Sequence, residues 1–168
     1  MIKTLFVTVG STGFDKLISL VTSSLFLKAL YSKGYKRLKI QCGTSIKIYN
    51  EAIQCIQDIE MEIVGYDFKS SLKQDMIDSD LIISHAGSGS ILESLRLQKP
   101  LIVVINETLM NNHQVELAIE MQNKGYLVCG SISNLLEIFR SDAFNSLTPF
   151  PEPDETIFAD ILNEEMML

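Results

Sequence analysis

The feature that most constrains this chain is a glycine- and serine-rich turn between an apolar run and a helical one: Ser84-His85-Ala86-Gly87-Ser88-Gly89-Ser90-Ile91-Leu92-Glu93. The run before it, Leu81-Ile82-Ile83, is short and apolar, as a buried parallel strand requires. After it, Ile91, Leu92, Leu95 and Leu97 approximate a helical stripe, with Glu93, Arg96 and Gln98 free to face elsewhere. A strand that turns sharply into a helix presents the free N–H groups and positive dipole end of that helix, which favour a phosphate. Gly87 and Gly89 would admit a ligand close to the backbone, and Ser88 and Ser90 add hydroxyl donors. The plainer alternative is that the glycines only make a tight turn and that Ser88 or Ser90 caps the helix.

Two other segments point to the same edge. Glu93 lies one helical turn past the loop, where a carboxylate can accept hydrogen bonds from two ribose hydroxyls. Asn111-Asn112-His113-Gln114 opens a later helix after the next apolar strand, Leu101-Ile102-Val103-Val104-Ile105. Strand signals near residues 2–9, 37–42, 61–65, 80–84, 101–105 and 126–129 alternate with helical signals near 14–32, 46–58, 70–78, 89–98, 111–124 and 132–140. That alternation predicts an α/β fold, a Rossmann-like doubly wound and mainly parallel sheet with its ligand at the carboxyl ends of the strands. The first strand ends in Val9-Gly10-Ser11-Thr12-Gly13-Phe14-Asp15, a second glycine turn before a helix, and two such turns on one edge imply a ligand with phosphates.

Charge and length narrow the classes. Residues 1–140 carry 14 Lys/Arg and 14 Asp/Glu, so the net charge of −7 resides in residues 141–168, which hold seven acids and no Lys or Arg. A neutral body without a basic stripe excludes nucleic acid as a partner. At 168 residues and 46% hydrophobic composition, the chain is expected to form one domain, residues 1–148, followed by an acidic, Pro-spaced tail at 149–168. No apolar run reaches the length of a membrane span, and Met1-Ile2-Lys3-Thr4-Leu5-Phe6-Val7 reads as a strand rather than a signal peptide, so a cytosolic protein is expected. Cys42, Cys55 and Cys129 are odd in number and lack C-x-x-C spacing, which predicts buried free thiols and neither disulfides nor zinc.

Other chemistries fit less well. Gly10-Ser11-Thr12-Gly13 is not G-x-G-x-x-G, and residues 31–41 lack the acid of a dinucleotide domain, although a dinucleotide-binding oxidoreductase remains an alternative. A P-loop and a nucleophile elbow are both absent, and His85 and His113 are neither spaced as a helical metal pair nor accompanied by a triad pattern.

His85-Ala86-Gly87-Ser88-Gly89-Ser90-Ile91-Leu92-Glu93, followed by Lys99-Pro100 and Asn112-His113-Gln114, resembles the nucleotide-sugar motif in the C-terminal half of B-fold glycosyltransferases. The bacterial peptidoglycan N-acetylglucosaminyltransferase and the plant small-molecule glucosyltransferases carry versions of it. Along nearly its whole length the chain is similar to the small catalytic subunits of two-protein UDP-N-acetylglucosamine transferases that extend dolichol-diphosphate-N-acetylglucosamine. The resemblance implies that His85, Gly87, Ser88, Gly89 and Ser90 hold the donor diphosphate, Glu93 the ribose, and Asn112, His113 and Gln114 the sugar, with Gly10, Ser11 and Thr12 bordering the donor. Tyr66 and Phe68 fall where a relative holds uracil, although an aromatic beside a strand end is equally a core residue. It further implies an inverting β1,4 transfer that needs neither metal nor cofactor. The partner it implies is a membrane-anchored acceptor-binding subunit on the cytosolic face of the endoplasmic reticulum, docked by a helix at 154–166 whose apolar face would be Ile157, Phe158, Ile161 and Leu162. The acceptor would be a lipid-diphosphate sugar. Which side chain serves as general base is not given by the motif, and a catalytically silent nucleotide-sugar-binding paralogue is a further alternative.

Overall fold

The computed structural model describes residues 2–57, 59–106 and 112–152, without the side chains of residues 112 and 113. Six strands, β1 (Thr4–Thr8), β2 (Arg37–Gln41), β3 (Glu62–Tyr66), β4 (Leu81–His85), β5 (Leu101–Val104) and β6 (Val128–Gly130), form one sheet in the order β3-β2-β1-β4-β5-β6. Every pairing is parallel, with Leu5 opposite Leu38 on one side and Leu81 on the other. The chain winds from β1 to β3 in one direction, then restarts beside β1 and winds away through β6. The switch point therefore lies between β1 and β4, and there the loops at the carboxyl ends diverge and leave a crevice.

Both faces of the sheet are covered, which is why the central strands are apolar without interruption. Leu5, Val7, Leu38, Ile40, Leu81, Ile83, Ile102 and Val104 meet helices α1 (Asp15–Val21), α2 (Ser24–Ser32), α3 (Ile46–Gln54) and α7 (Leu135–Ser141). Phe6, Ile82, Leu101 and Val103 meet α4 (Lys73–Ile77), α5 (Ser88–Arg96) and α6 (Asn112–Asn123) through Met76, Ile91, Leu95 and Ala118. On the first face Phe139 packs its ring against Phe26, Tyr35 and Phe144.

The structure corrects three local expectations. The segment 14–32 is two helices and not one: the Thr22 hydroxyl donates to Ile18 O at 2.7 Å, and Ser23 caps α2 by accepting from Phe26 N at 3.3 Å. Hydroxyl side chains that bond the neighbouring backbone compete with helical continuation, and Thr22-Ser23-Ser24 supplies three in a row. Helix α3 ends at Gln54 rather than 58, which leaves Cys55 exposed at its C-terminal cap instead of buried. Cys42 is buried as expected, and burial pushes its thiol up to about 12. Strand β6 starts at Val128, two residues later than expected, because the backbone of Gly125 and Tyr126 is taken up in closing α6.

One polar cluster is buried within these layers. Asp75 is 4% exposed and accepts hydrogen bonds from Lys39 Nζ and Lys69 Nζ, each at 2.8 Å, and from the Tyr66 hydroxyl at 2.5 Å. Burial alone would raise its pKa, but the donors outweigh burial and hold the carboxyl at about 2, against an ordinary 3.8. A depressed carboxyl adds stability above its unfolded pKa and loses it as the pH falls toward the folded value. Between pH 5 and pH 2 the wild type is therefore expected to lose about 2 kcal/mol more unfolding free energy than Asp75→Asn, as read from urea titrations of both proteins.

Candidate functional site

The two glycine turns meet at the switch point. Thr8 at the end of β1 pairs with Ser84 in β4, so Gly10 and His85 emerge side by side. The His85 ring is wedged between the turns. A Cβ on Gly10 would lie 2.5 Å from His85 Cε1, and one on Gly87 2.4 Å from His85 Nε2. Gly10 also has φ +68, a left-handed conformation that disfavours any other residue. Both glycines are thus required by the imidazole between them, whereas Gly89 has open space around its Cβ position and can admit a ligand.

Helix α5 begins at Ser88 and its N-cap is Gly87, with no side-chain cap. The alternative that Ser88 or Ser90 caps the helix does not hold: with glycine at the cap no side chain reaches the first-turn N–H groups, and they are left for a ligand. Ser88 and Gly89 are exposed at this end, Ser90 and Glu93 are half-buried, and Ser94, a turn later, anchors the helix by donating to Ser90 O at 2.7 Å. The helix stops where Gln98 takes φ +55.

Burial lowers the pKa of His85, and the backbone of Thr8 opposes this more weakly. Its Nδ1 is buried without a well-formed hydrogen bond among the described residues. The imidazole is consequently neutral at neutral pH, and an anion placed against it would draw a proton onto it.

Tyr66 and Phe68 diverge. The Tyr66 hydroxyl is committed to Asp75, and Lys69 Nζ lies 4.4 Å from the centre of its ring, while Phe68 is 52% exposed beside the strand end. Gln114 is half-buried near the start of α6, Asn112 and His113 belong to the same first turn, and Asn111 lies outside the described residues. The helix expected at 154–166 lies outside them as well. Phe150, the last aromatic before it, is held by Gln98, whose Nε2 donates to Phe150 O at 2.7 Å and whose Oε1 accepts from Phe150 N at 3.2 Å, and packs edge-on against Tyr126.

Sequence reasoning missed the residues that brace the Gly10 turn from below. Ser45 Oγ accepts from Phe14 N at 2.8 Å and donates to Asp15 Oδ1 at 2.5 Å. Gly43, at φ +52, leaves space for Thr12 O, which a Cβ there would meet at 1.9 Å. Gln41 occupies the end of β2, where dinucleotide-binding domains place their ribose acid. Its amide is fully engaged within the protein, so this position offers no group to a second ribose. An uncharged glutamine closing the alternating strand Arg37-Leu38-Lys39-Ile40 was the available signal. Among the described residues no group of three or more His, Cys, Asp or Glu side chains could hold a metal ion. A cavity of about 610 Å³ lies between α2 and the C-terminal end of α3, away from the glycine turns.

The fold and site have counterparts. The chain matches the glycosyltransferase family 28 C-terminal domain over residues 4–164. It is 35% identical to the Saccharomyces cerevisiae UDP-N-acetylglucosamine transferase subunit ALG13, covering 96% of this chain and 95% of that one. The human subunit of the same name is 46% identical over 125 residues, which are 74% of this chain but only 11% of the human protein. The mouse relative is likewise spanned over only 10% of its length. An NMR structure of ALG13 superposes with a TM-score of 0.72 at 32% identity, over 96% of this chain and 95% of that one. The Acinetobacter baumannii MurG crystal structure shares the fold at a TM-score of 0.59, 18% identity, over 84% of this chain and 40% of that one. With the family domain matched from the first strand into the tail and the yeast subunit matched end to end, the chain belongs to the glycosyltransferase family 28 C-terminal domain family, alongside the ALG13 subunits.

Proposed function

We propose that this chain is the donor-binding, catalytic subunit of a UDP-N-acetylglucosamine transferase. It adds the second N-acetylglucosamine, with inversion and a β1,4 linkage, to N-acetylglucosamine-diphosphate-dolichol in N-glycan precursor synthesis. The observation that carries this reading is the imidazole of His85 held between Gly10 and Gly87, beside the uncapped N-terminus of α5, at the point where the sheet reverses its winding. Similarity to the yeast UDP-N-acetylglucosamine transferase subunit supports both the donor and the existence of a second subunit.

The chemistry follows from charge. As UDP departs from the anomeric carbon, negative charge grows on the diphosphate. The first-turn N–H groups of α5, its dipole, and the Ser88 and Ser90 hydroxyls are fixed in advance to receive that charge, so no metal is needed in this role. A neutral His85 adds a donor that gains a proton as the anion arrives. Glu93 takes the ribose hydroxyls, and Asn112, His113 and Gln114 the sugar. The acceptor is presented by a membrane-anchored subunit at the cytosolic face of the endoplasmic reticulum, to which residues 154–166 dock. No helix among the described residues is long and apolar enough to cross a membrane.

Calorimetry with the full chain tests the donor. UDP-N-acetylglucosamine should bind, unchanged in EDTA, and NAD should not; binding of NAD alone would sink the reading. Glu93→Ala should weaken UDP-N-acetylglucosamine by about 1–3 kcal/mol with the melting temperature preserved, because a ligand hydrogen bond is lost without emptying the core. The diphosphate of this donor does not itself titrate near neutrality, so His85 sets the proton balance. A bound-state pKa above the free one means proton uptake on binding and tighter binding as the pH falls; titrations in buffers of different ionisation enthalpy should show the uptake in wild type and lose it in His85→Gln. Removal of residues 154–168 should abolish capture by the membrane subunit while donor binding persists.

A further inference from the structure

Gln41 uses every hydrogen-bonding position it has, and it spends them on two loops. Its side chain is 2% exposed. Oε1 accepts from the Thr8 hydroxyl at 2.6 Å and from Gly10 N at 3.0 Å. Nε2 donates to Gly10 O and to Asp67 O, both at 2.8 Å. An amide offers two acceptor sites and two donor protons, so none is left over. Two of the four bonds clasp Gly10 on both sides of its peptide, and the fourth reaches the segment after β3 that carries Phe68. The main chain repeats the link: Cys42 N donates to Tyr66 O at 2.7 Å and Gly43 N to Asp67 O at 3.1 Å.

We infer that Gln41 is the positioning residue of the donor site, locking the Gly10–Thr12 turn and the Asp67–Phe68 segment into one rigid edge. This rests on the proposed reading of the site as one for a uridine diphosphate sugar. Gly10 abuts the His85 ring, so the turn that Gln41 clasps is also the surface that seats the imidazole. Phe68 N donates to Asp67 Oδ1 at 2.7 Å, which ties the exposed aromatic to the residue whose carbonyl Gln41 holds. A ligand spanning from Gly10 to Phe68 thus meets two loops already fixed relative to each other, and ordering them costs it nothing at the moment of binding. Gln41 does not need to touch that ligand.

The side chain's polarity makes the test sharp. In Gln41→Glu the shape and the two accepted bonds are retained, but a carboxylate oxygen faces Gly10 O and Asp67 O, and both loop carbonyls are repelled. Thr8→Val is the counterpart: it removes the hydroxyl bond to Oε1 and the longer 3.3 Å contact that the hydroxyl accepts from Gly10 N, while Gly10 N keeps its 3.0 Å bond to Oε1 and the three bonds that tie Gln41 to the loops remain.

The full chain is titrated with UDP-N-acetylglucosamine and with uridine, well below each variant's melting temperature, alongside amide spectra. We expect Gln41→Glu to weaken UDP-N-acetylglucosamine at least tenfold and uridine less than threefold, because only the longer ligand spans both loops. Thr8→Val should lower the melting temperature yet bind the donor within threefold of wild type. The amide signals of Gly10 and Phe68 should move together in the wild-type titration and separately in Gln41→Glu. Should glutamate at 41 prevent folding, Gln41→Asn, neutral and one methylene too short to reach both loops, is read against the same thresholds. Donor affinity within twofold of wild type in a folded position-41 variant, or a donor loss in Thr8→Val equal to that in Gln41→Glu, overturns the positioning role. Failure of the wild type itself to bind UDP-N-acetylglucosamine is a different result, which removes the functional reading and this assignment with it.

Discussion

Strand β1 pairs with β2 on one side and with β4 on the other, and the rest of the molecule is arranged around that double pairing. Because the chain winds outward from this strand in both directions, the loops after β1 and β4 have no helix between them at the carboxyl edge. The gap they leave is narrow. It is filled by one imidazole, and the imidazole in turn permits only glycine at positions 10 and 87. The chemistry of the turns is thereby set by packing, since residues without a side chain are also those that let backbone N–H groups face a ligand.

That same packing decides the electrostatics. His85 sits among backbone and apolar groups, so its charged form is disfavoured before any ligand arrives. The strongly paired carboxylate of the domain, Asp75, is instead surrounded by Lys39, Lys69 and Tyr66 and keeps its charge. A histidine poised neutral beside a helix N-terminus can become cationic when an anion arrives. The carboxylate clamped by two lysines cannot respond, and its value is to hold the segment between β3 and α4 in one place. The responsive group ends β4, while the fixed one lies in α4, which follows β3.

Much of this was legible in the sequence because it depends on local pattern. Apolar runs of three to five residues alternating with amphipathic stretches specify a parallel sheet with covered faces, and His85 through Glu93 announces a strand, a turn and a helix in order. The break at Thr22-Ser23 was readable in principle, but the flanking Leu20, Val21, Phe26 and Leu27 keep a helical period across it and masked the competing hydroxyl bonds. Gln41 and Ser45 were not legible, since their roles depend on Gly10, Asp67 and Phe14, residues 26 to 31 positions away in the chain, and only the tertiary pairing of β1, β2 and β3 brings them together. The alternative of a serine cap fails for a related reason. Serine is the commoner cap by propensity, but the His85 ring occupies the space a side chain at the cap would need.

The two ends of the sheet divide the work of the proposed complex. On the proposed reading, donor chemistry is confined to the carboxyl edge, where β1 and β4 finish. Phe150 is fastened at the opposite edge: Gln98, which holds its backbone from both sides, precedes β5, and Tyr126, on which its ring rests, precedes β6. A strand of five residues spans about 17 Å, so the point from which residues 151–168 depart is separated from the donor turns by roughly the height of the sheet. On the proposed reading, the tail that docks the partner leaves the described residues at the edge opposite the one where the acceptor is presented.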